Sequence, residues 1–342
     1  MSARESIIPV FVPHLGCPNN CVFCNQRRIS GSQQPATAET VREAIQQAAA
    51  LLPTGAKRQL AFYGGSFTAI PVADQIALLS AAKEYIDSGE LSSIRLSTRP
   101  DAIDEEILCR LKFYGVETIE LGAQSLCDEV LRLSGRGHSA ESVANASRLI
   151  KQAGFKLILQ MMTGLPGDSL EHSIETAERI ISLNPDGVRI YPTVIVRDTA
   201  LCDMWQEGKY KEHSVEDAVK VCAKLLPMFE KANIPVIRLG LNPTEELSGG
   251  AAAGGAYHPA LGELVKSRIM LEKACELMRG IEPESKVVLS VHPSKISQMT
   301  GQKRANVDSL CAEFKLSGLK IMGNAENTEE ITVVSVEKPS KM

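Results

Sequence analysis

The sequence predicts an α/β fold, a partial (β/α)6 TIM-like barrel followed by a small C-terminal α+β extension. Three observations carry that reading. Six short β-branched runs alternate with amphipathic helical stretches in units of about 30 residues, the pattern of a parallel sheet wound by right-handed crossovers. Polar and glycine-rich turns follow these runs at the same end of each unit, the end where a curled parallel sheet gathers its chemistry. Past residue 240 the alternation stops. The expected division is a barrel over residues 1–240 and an extension over 241–342.

The first strand is expected over Ile7–Val12 and runs into Leu15-Gly-Cys-Pro-Asn-Asn-Cys-Val-Phe-Cys-Asn25. The second, Gln59–Tyr63, is followed by Gly64-Gly65-Ser66, and the third, Ser93–Thr98, by Arg99-Pro100-Asp101. Asp101, Asp104, Glu105 and Glu106 then open a helix, where acidic side chains favour the positive end of the helix dipole. The fourth strand, Thr118–Leu121, ends at Gly122-Ala-Gln124; Ser139 caps the next helix and Gly154 stops it. Lys156–Met162 and Gly187–Tyr191 complete the six, with Gly164-Leu-Pro-Gly167 between them. Ser214-Val-Glu-Asp217 resembles a capping box for the helix that carries Val215, Val219, Cys222, Leu226 and Phe229.

In the extension, Ser248–Gly255 reads as a mobile loop or lid, without the Lys-Ser/Thr of a phosphate-binding P-loop. A long helix through Met278, a strand over Val287–Val291, a helix over Ser294–Phe314 and a strand over Ile331–Val336 follow. His292-Pro-Ser-Lys295 and Gly301-Gln-Lys-Arg304 could meet phosphates. From Pro283 onward, however, eight Lys/Arg stand against seven Asp/Glu, which favours a solvated surface.

Composition narrows the class. Hydrophobic residues at 44% supply a large core, and a net charge of −4 with pI near 6 advertises no global field for nucleic acid. No apolar run reaches the ~20 residues that span a bilayer, and the short segment before Cys17 leaves no room for a signal peptide. Nine cysteines without a paired framework read as reduced thiols in a cytoplasmic protein.

Cys17, Cys21 and Cys24 hold the most informative spacing, CxxxCxxC. Three thiolates suit a 4Fe-4S cluster in which one iron keeps no protein ligand. The amino and carboxylate groups of S-adenosyl-L-methionine can chelate that iron, and one electron then breaks the sulfonium C–S bond to release a 5′-deoxyadenosyl radical. The same cysteines also suit a zinc site with His14 or a distant residue as fourth ligand, so a zinc-stapled, non-enzymatic binding module stays open on spacing alone. Structural zinc usually takes matched pairs, whereas Cys109, Cys127, Cys202, Cys222, Cys275 and Cys311 are scattered singly.

Further candidates stand at the strand ends. Gly64 and Gly65, with Ser66 completing the turn, let backbone approach a ligand and suit the methionine amino group of the cofactor. Phe23 is placed to pack on adenine or to fill core. Gln124 suits ribose hydroxyls or a cap, and Arg136 suits a carboxylate as a charge-assisted pair or a surface position. Arg99 and Gln160 occupy analogous strand ends. Met161 and Met162 read as core that can reach adenine, and His138 and His258 as packing or capping residues.

Together these motifs resemble the radical-SAM superfamily, and within it the radical-SAM half of the catalytic subunit of Elongator, over roughly Ile8 to Gly240. The likeness includes Tyr63-Gly-Gly-Ser-Phe-Thr68, Ser97-Thr-Arg-Pro-Asp101, Leu121-Gly-Ala-Gln-Ser-Leu126, Gly135-Arg-Gly-His138, Leu165-Pro-Gly167 and Arg189-Ile-Tyr-Pro-Thr193. The oxygen-independent coproporphyrinogen oxidases are similar, less closely. The resemblance implies Cys17, Cys21 and Cys24 as cluster ligands and Gly64, Gly65, Gln124 and Arg136 as S-adenosylmethionine contacts. It implies a reduced flavodoxin or ferredoxin as electron donor, and hydrogen abstraction from a substrate for which a tRNA base is one candidate. Two departures stand out. Elongator's subunit carries an acetyltransferase half that has no counterpart here, and its first two cysteines are further apart, so acetyl-CoA-dependent carboxymethylation of wobble uridine by this chain alone is not expected. A small-molecule reaction such as porphyrinogen decarboxylation is the alternative. There, Gln160 replaces a usual acidic residue and the Gly-Gly turn continues differently. A methylthiotransferase would need a second cluster, which the scattered cysteines do not offer.

Overall fold

Strand formation follows the six β-branched runs, and their order along the chain is their order in space. The computed structural model describes residues 6–12, 17, 19–25, 36–51, 57–244, 247–326 and 330–338. Contacts divide the chain into two compact units, Met1–Ser214 with Leu225–Tyr257, and Val215–Lys224 with His258–Met342.

The first unit is built on β1 (Ser6–Phe11), β2 (Arg58–Tyr63), β3 (Ser93–Thr98), β4 (Val116–Gln124), β5 (Lys156–Thr163) and β6 (Gly187–Pro192). After β6 come β7 (Val194–Val196), β8 (Val236–Leu239) and β9 (Ala252–Gly255). The main sheet has seven strands in the order β1-β2-β3-β4-β5-β6-β8, every pairing parallel. It is the curled, half-barrel sheet that the alternation predicts, with β8 as a seventh strand whose four-residue run was too short to read.

Side chains of paired strands share faces. Leu96 pairs with Ile119, Leu121 with Leu159, and Met161 with Ile190; these side chains are fully buried on one face. Helices cover that face, and their ends are where the sequence places them. Ser139 accepts from the Ser142 N–H at 3.2 Å and Asp104 from the Ile107 N–H at 2.7 Å, each satisfying an N–H that the first helical turn leaves unpaired. The opposite face carries Ser97, Glu120, Gly122, Gln160, Met162, Arg189 and Tyr191, and lines a cavity.

The Gly-rich stretch read as a mobile loop or lid adopts regular structure. Leu247–Ala251 forms a single wide helical turn in which Gly250 takes φ +106°. β9 then pairs antiparallel with β7 in the register Val194↔Gly255. A Cβ at Gly255 would stand 2.7 Å from the Thr193 carbonyl oxygen, and its φ is +82°. Glycine there is a requirement of the pairing, not a sign of flexibility.

The second unit packs the helix Leu261–Leu277 on a three-stranded sheet of β10 (Lys286–Val291), β11 (Gly318–Gly323) and β12 (Thr332–Glu337), in the order β11-β10-β12. Met270, Ala274, Met278, Val287, Leu289, Val291, Met299 and Leu310 form its core. Two expectations need correction. The single helix over Ser294–Phe314 is broken into Ile296–Thr300 and Ala305–Glu313, because Gly301, Lys303 and Arg304 take φ of +75°, +51° and +68°. β11 is an additional strand whose bounding glycines hid it.

Candidate functional site

A cavity of about 560 Å³ opens on the polar face of the parallel sheet. Cys17, Cys21, Cys24, Phe23, Gly64, Gly65, Gln124, Arg136 and Gln160 all line it. Seven of the nine candidates lie in the turns that follow β1 and β2 or at the end of β4; Arg136 follows the short helix Asp128–Leu133, and Gln160 lies within β5. Ser66 and Arg99 do not line it. Both are buried one layer behind, where Ser66 Oγ lies 2.9 Å from Thr98 Oγ1 and accepts from the Arg99 N–H at 3.2 Å. His14 lies outside the described residues.

The cysteine loop is held by backbone as well as by side chains. The Val22 N–H donates to Ser134 O at 3.0 Å, and the Leu201 N–H donates to Val22 O at 2.8 Å. Between Cys21 and Cys24 a tight turn closes with an N–H···O bond of 3.1 Å. Asn19 packs on Gly137, where a Cβ would come within 2.1 Å of its amide nitrogen. Phe23 faces the cavity and also packs with Ile195, Leu201, Cys202 and Tyr210.

Arg136 is the hinge of this side. Its Nη2 donates to Gly122 O at 2.8 Å and its Nη1 reaches Cys21 Sγ at 3.5 Å, while its buried Nε has no protein partner. Arg99 fixes the same residue through its backbone, donating from Nη2 to Arg136 O at 2.8 Å while pairing with Asp101 at 2.9 Å. Burial pushes the Cys17 thiol up, and the Arg136 and Arg99 guanidiniums partly offset that. Gln124 enters the cavity from a register shift between Gly122 and Gln124, where it takes φ +63°. Gly122 makes room for both side chains: a Cβ there would lie 2.7 Å from Arg136 Nη2 and 2.8 Å from Gln124 Nε2.

His138 is a packing residue. Its Nε2 lies 3.2 Å from Ala123 O, and burial, with Arg136 nearby, pulls its pKa down to about 4. Met161 is buried in the core, whereas Met162 reaches the cavity. His258 Nδ1 accepts from the Ala260 N–H at 3.1 Å, a local turn contact.

The floor of the cavity was not read as a site from the sequence. Glu120, with a side chain fully removed from solvent, accepts from Arg95 Nη1 (2.9 Å), Arg189 Nε (2.8 Å) and Nη2 (2.9 Å), Gln160 Nε2 (2.9 Å) and Tyr63 OH (3.2 Å). Burial would raise this carboxyl, but the Arg189 and Arg95 guanidiniums overrule it and hold the group below the ordinary range. The signal was present, since a charged residue inside each of three buried strands breaks the near-continuous apolar run that parallel sheets show.

Comparisons with known proteins agree with this fold. A family model described as the Radical SAM superfamily matches residues 11–180, and one described as a Radical_SAM C-terminal domain matches residues 185–270. Elongator complex protein 3 of Homo sapiens is 36% identical over 138 residues, 40% of this chain and 25% of that protein. A tRNA uridine(34) acetyltransferase of Methanocaldococcus infernus is 36% identical over 129 residues, 37% of this chain and 24% of that protein. The aligned stretch thus spans about a quarter of these relatives. Among solved structures, the archaeal Methanocaldococcus infernus Elp3 with an N-terminal deletion shares the fold at TM-score 0.61 and 24% identity, over 83% of this chain and 70% of that one.

Proposed function

Because the chain belongs to the radical SAM superfamily, we propose that it cleaves S-adenosylmethionine reductively and uses the resulting radical on a nucleoside of tRNA. The observation that carries the first part is the convergence of three cysteines, the Gly64-Gly65 turn, Gln124 and Arg136 on one cavity. A 4Fe-4S cluster held there by Cys17, Cys21 and Cys24 would supply the one-electron reduction that this cleavage requires.

The residues present fit that group. Soft thiol donors beside a guanidinium suit iron bound through thiolates. Cys17, Cys21 and Cys24 are the proposed ligands. The Arg136 guanidinium, with its buried Nε still unpaired, is the proposed partner of the cofactor carboxylate. Gly64 and Gly65, at φ +78° and +55°, bring backbone close to the cofactor amino group. Gln124 is proposed to hold the ribose hydroxyls and Phe23 the adenine face. Arg99 and Ser66 serve by holding Arg136 and the glycine turn in place. A reduced flavodoxin or ferredoxin in a reducing compartment is the proposed electron source.

The tRNA reading is supported by the relatives named above, two of which are an Elongator protein and a tRNA uridine acetyltransferase. The test is 5′-deoxyadenosine formation by anaerobically reconstituted, dithionite-reduced protein, with and without bulk tRNA. Stimulation by tRNA is expected; cleavage indifferent to tRNA points to a small metabolite. Cys17→Ala is expected to lose cluster iron and cleavage while unfolding as cooperatively as the parent, and full cleavage by that variant sinks the ligand assignment.

A further inference from the structure

We propose that the cavity floor contains a subsite for a compact oxyanion, a phosphate or carboxylate group of the substrate, held by Arg189 and Tyr191 of β6. The subsite rests on the cavity being the reaction site, and it names a chemical feature of what enters.

The argument begins with charge. At the floor, two guanidiniums, Arg95 and Arg189, share the single carboxylate of Glu120. The other floor groups (Tyr63, Tyr191, Gln160 and Met162) carry no charge, because burial pushes both phenols up and keeps them protonated. Of the described residues lining the cavity, Asp198 is the only other carboxylate. Its backbone oxygen accepts from the Asn25 side chain, which places it beside the cysteine loop. Arg136, also on that side, adds positive charge. Arg95 also faces Glu117, which Lys156 pairs, and Arg238 acts on Tyr191, so positive charge stays in excess around a largely desolvated floor, a costly arrangement unless an anion completes it.

Geometry indicates where that anion sits. Arg189 directs Nε and Nη2 at Glu120 and Tyr63, and its side chain keeps 13% of its surface open. The guanidinium also holds the Tyr191 phenol, so the edge that these two side chains share is the one that faces the cavity. The Tyr191 phenol oxygen accepts from the guanidinium, lines the cavity and keeps its own O–H as a neutral donor. A guanidinium edge and a phenol make a two-donor cradle that an oxyanion can bridge. Glu120 then acts as a clamp that fixes the Arg189 fork and moderates its charge.

The experiment measures the thermal midpoint of the full chain against inorganic phosphate and, separately, malonate, with chloride at matched ionic strength. Both anions are expected to raise the midpoint beyond chloride. A larger phosphate response indicates a phosphate-bearing substrate, and a larger malonate response indicates a carboxylate. Glu120→Gln, which removes the competing charge and keeps the acceptor, is expected to tighten phosphate about tenfold or more. The double variant Arg189→Met/Glu120→Gln removes the cavity-facing guanidinium, leaves Arg95 (which is not among the described residues lining the cavity) on a neutral amide acceptor, and is expected to lose the response; Arg189→Lys is expected to keep part of it. An undiminished response in the double variant, or a weaker one in Glu120→Gln, overturns the subsite. Wild-type protein that forms 5′-deoxyadenosine but ignores both anions sinks the subsite alone. Protein that binds them but never cleaves the cofactor sinks the radical reading instead.

Discussion

Glu120 gathers five hydrogen bonds on one carboxylate with no exposed side-chain surface, and its neighbours depend on it. Truncation leaves two guanidiniums facing a void. Glu120→Ala is expected to cost about 3–5 kcal/mol in urea unfolding, and Glu120→Gln distinctly less, because the acceptor survives. His138 gives a pH signature. Its folded pKa of about 4 lies below the ordinary 6.5, so the unfolded chain binds the extra proton between those values. Stability from this residue is fully present above pH 6.5 and is lost as pH falls toward 4, by at most about 3 kcal/mol. His138→Gln is expected to flatten that part of a stability–pH curve, and an unchanged slope refutes the assignment. At this scale the sequence was partly legible. Cys17, Gly64 and Arg136 stand in recognisable turns, but the partners of Glu120 come from β2, β3, β5 and β6, and no local pattern announces a pairing across four strands.

Among the elements, strand existence was legible and strand extent was not. β4 continues from Leu121 to Gln124 because it sits in the middle of the sheet, hydrogen-bonded on both sides. The register shift at Gly122–Gln124 belongs to that pairing. β9 escaped because glycine and alanine carry little strand signal and only its neighbour β7, a three-residue Val-Ile-Val run, orders it. Gly255→Ala is expected to destabilise the protein by about 2 kcal/mol or more, since it combines a left-handed backbone with a backbone clash. Gly262→Ala, in a helix with nothing within 4 Å of its Cβ position, is expected to be neutral or stabilising by up to about 1 kcal/mol. Equal effects in chemical denaturation contradict the strain account. The break at Gly301 teaches the same lesson, since Asn306 draws the chain back by donating to Ser267 O at 2.9 Å and Gln298 O at 3.2 Å.

Over the whole molecule, the net charge of −4 implies that any hold on RNA is local. Retention of bulk tRNA is expected to weaken steeply between about 50 and 200 mM salt, because each phosphate contact releases condensed counterions. Filter binding checks this, and retention that ignores salt speaks against phosphate contacts. None of the described helices is long and apolar enough to cross a membrane. By itself the sequence determined the alternating α/β architecture, the three-cysteine loop and the glycine turn, because each is written in residues adjacent along the chain. The tertiary structure alone decided that Ser66 and Arg99 stand behind the cavity wall and not in it. It also decided that the Gly-rich segment is a paired strand and that Arg95, Glu120 and Arg189 form one network under the site. These outcomes depend on register and on which strands become neighbours. Both are fixed by burying the apolar face of the whole sheet at once, a constraint that no single segment carries.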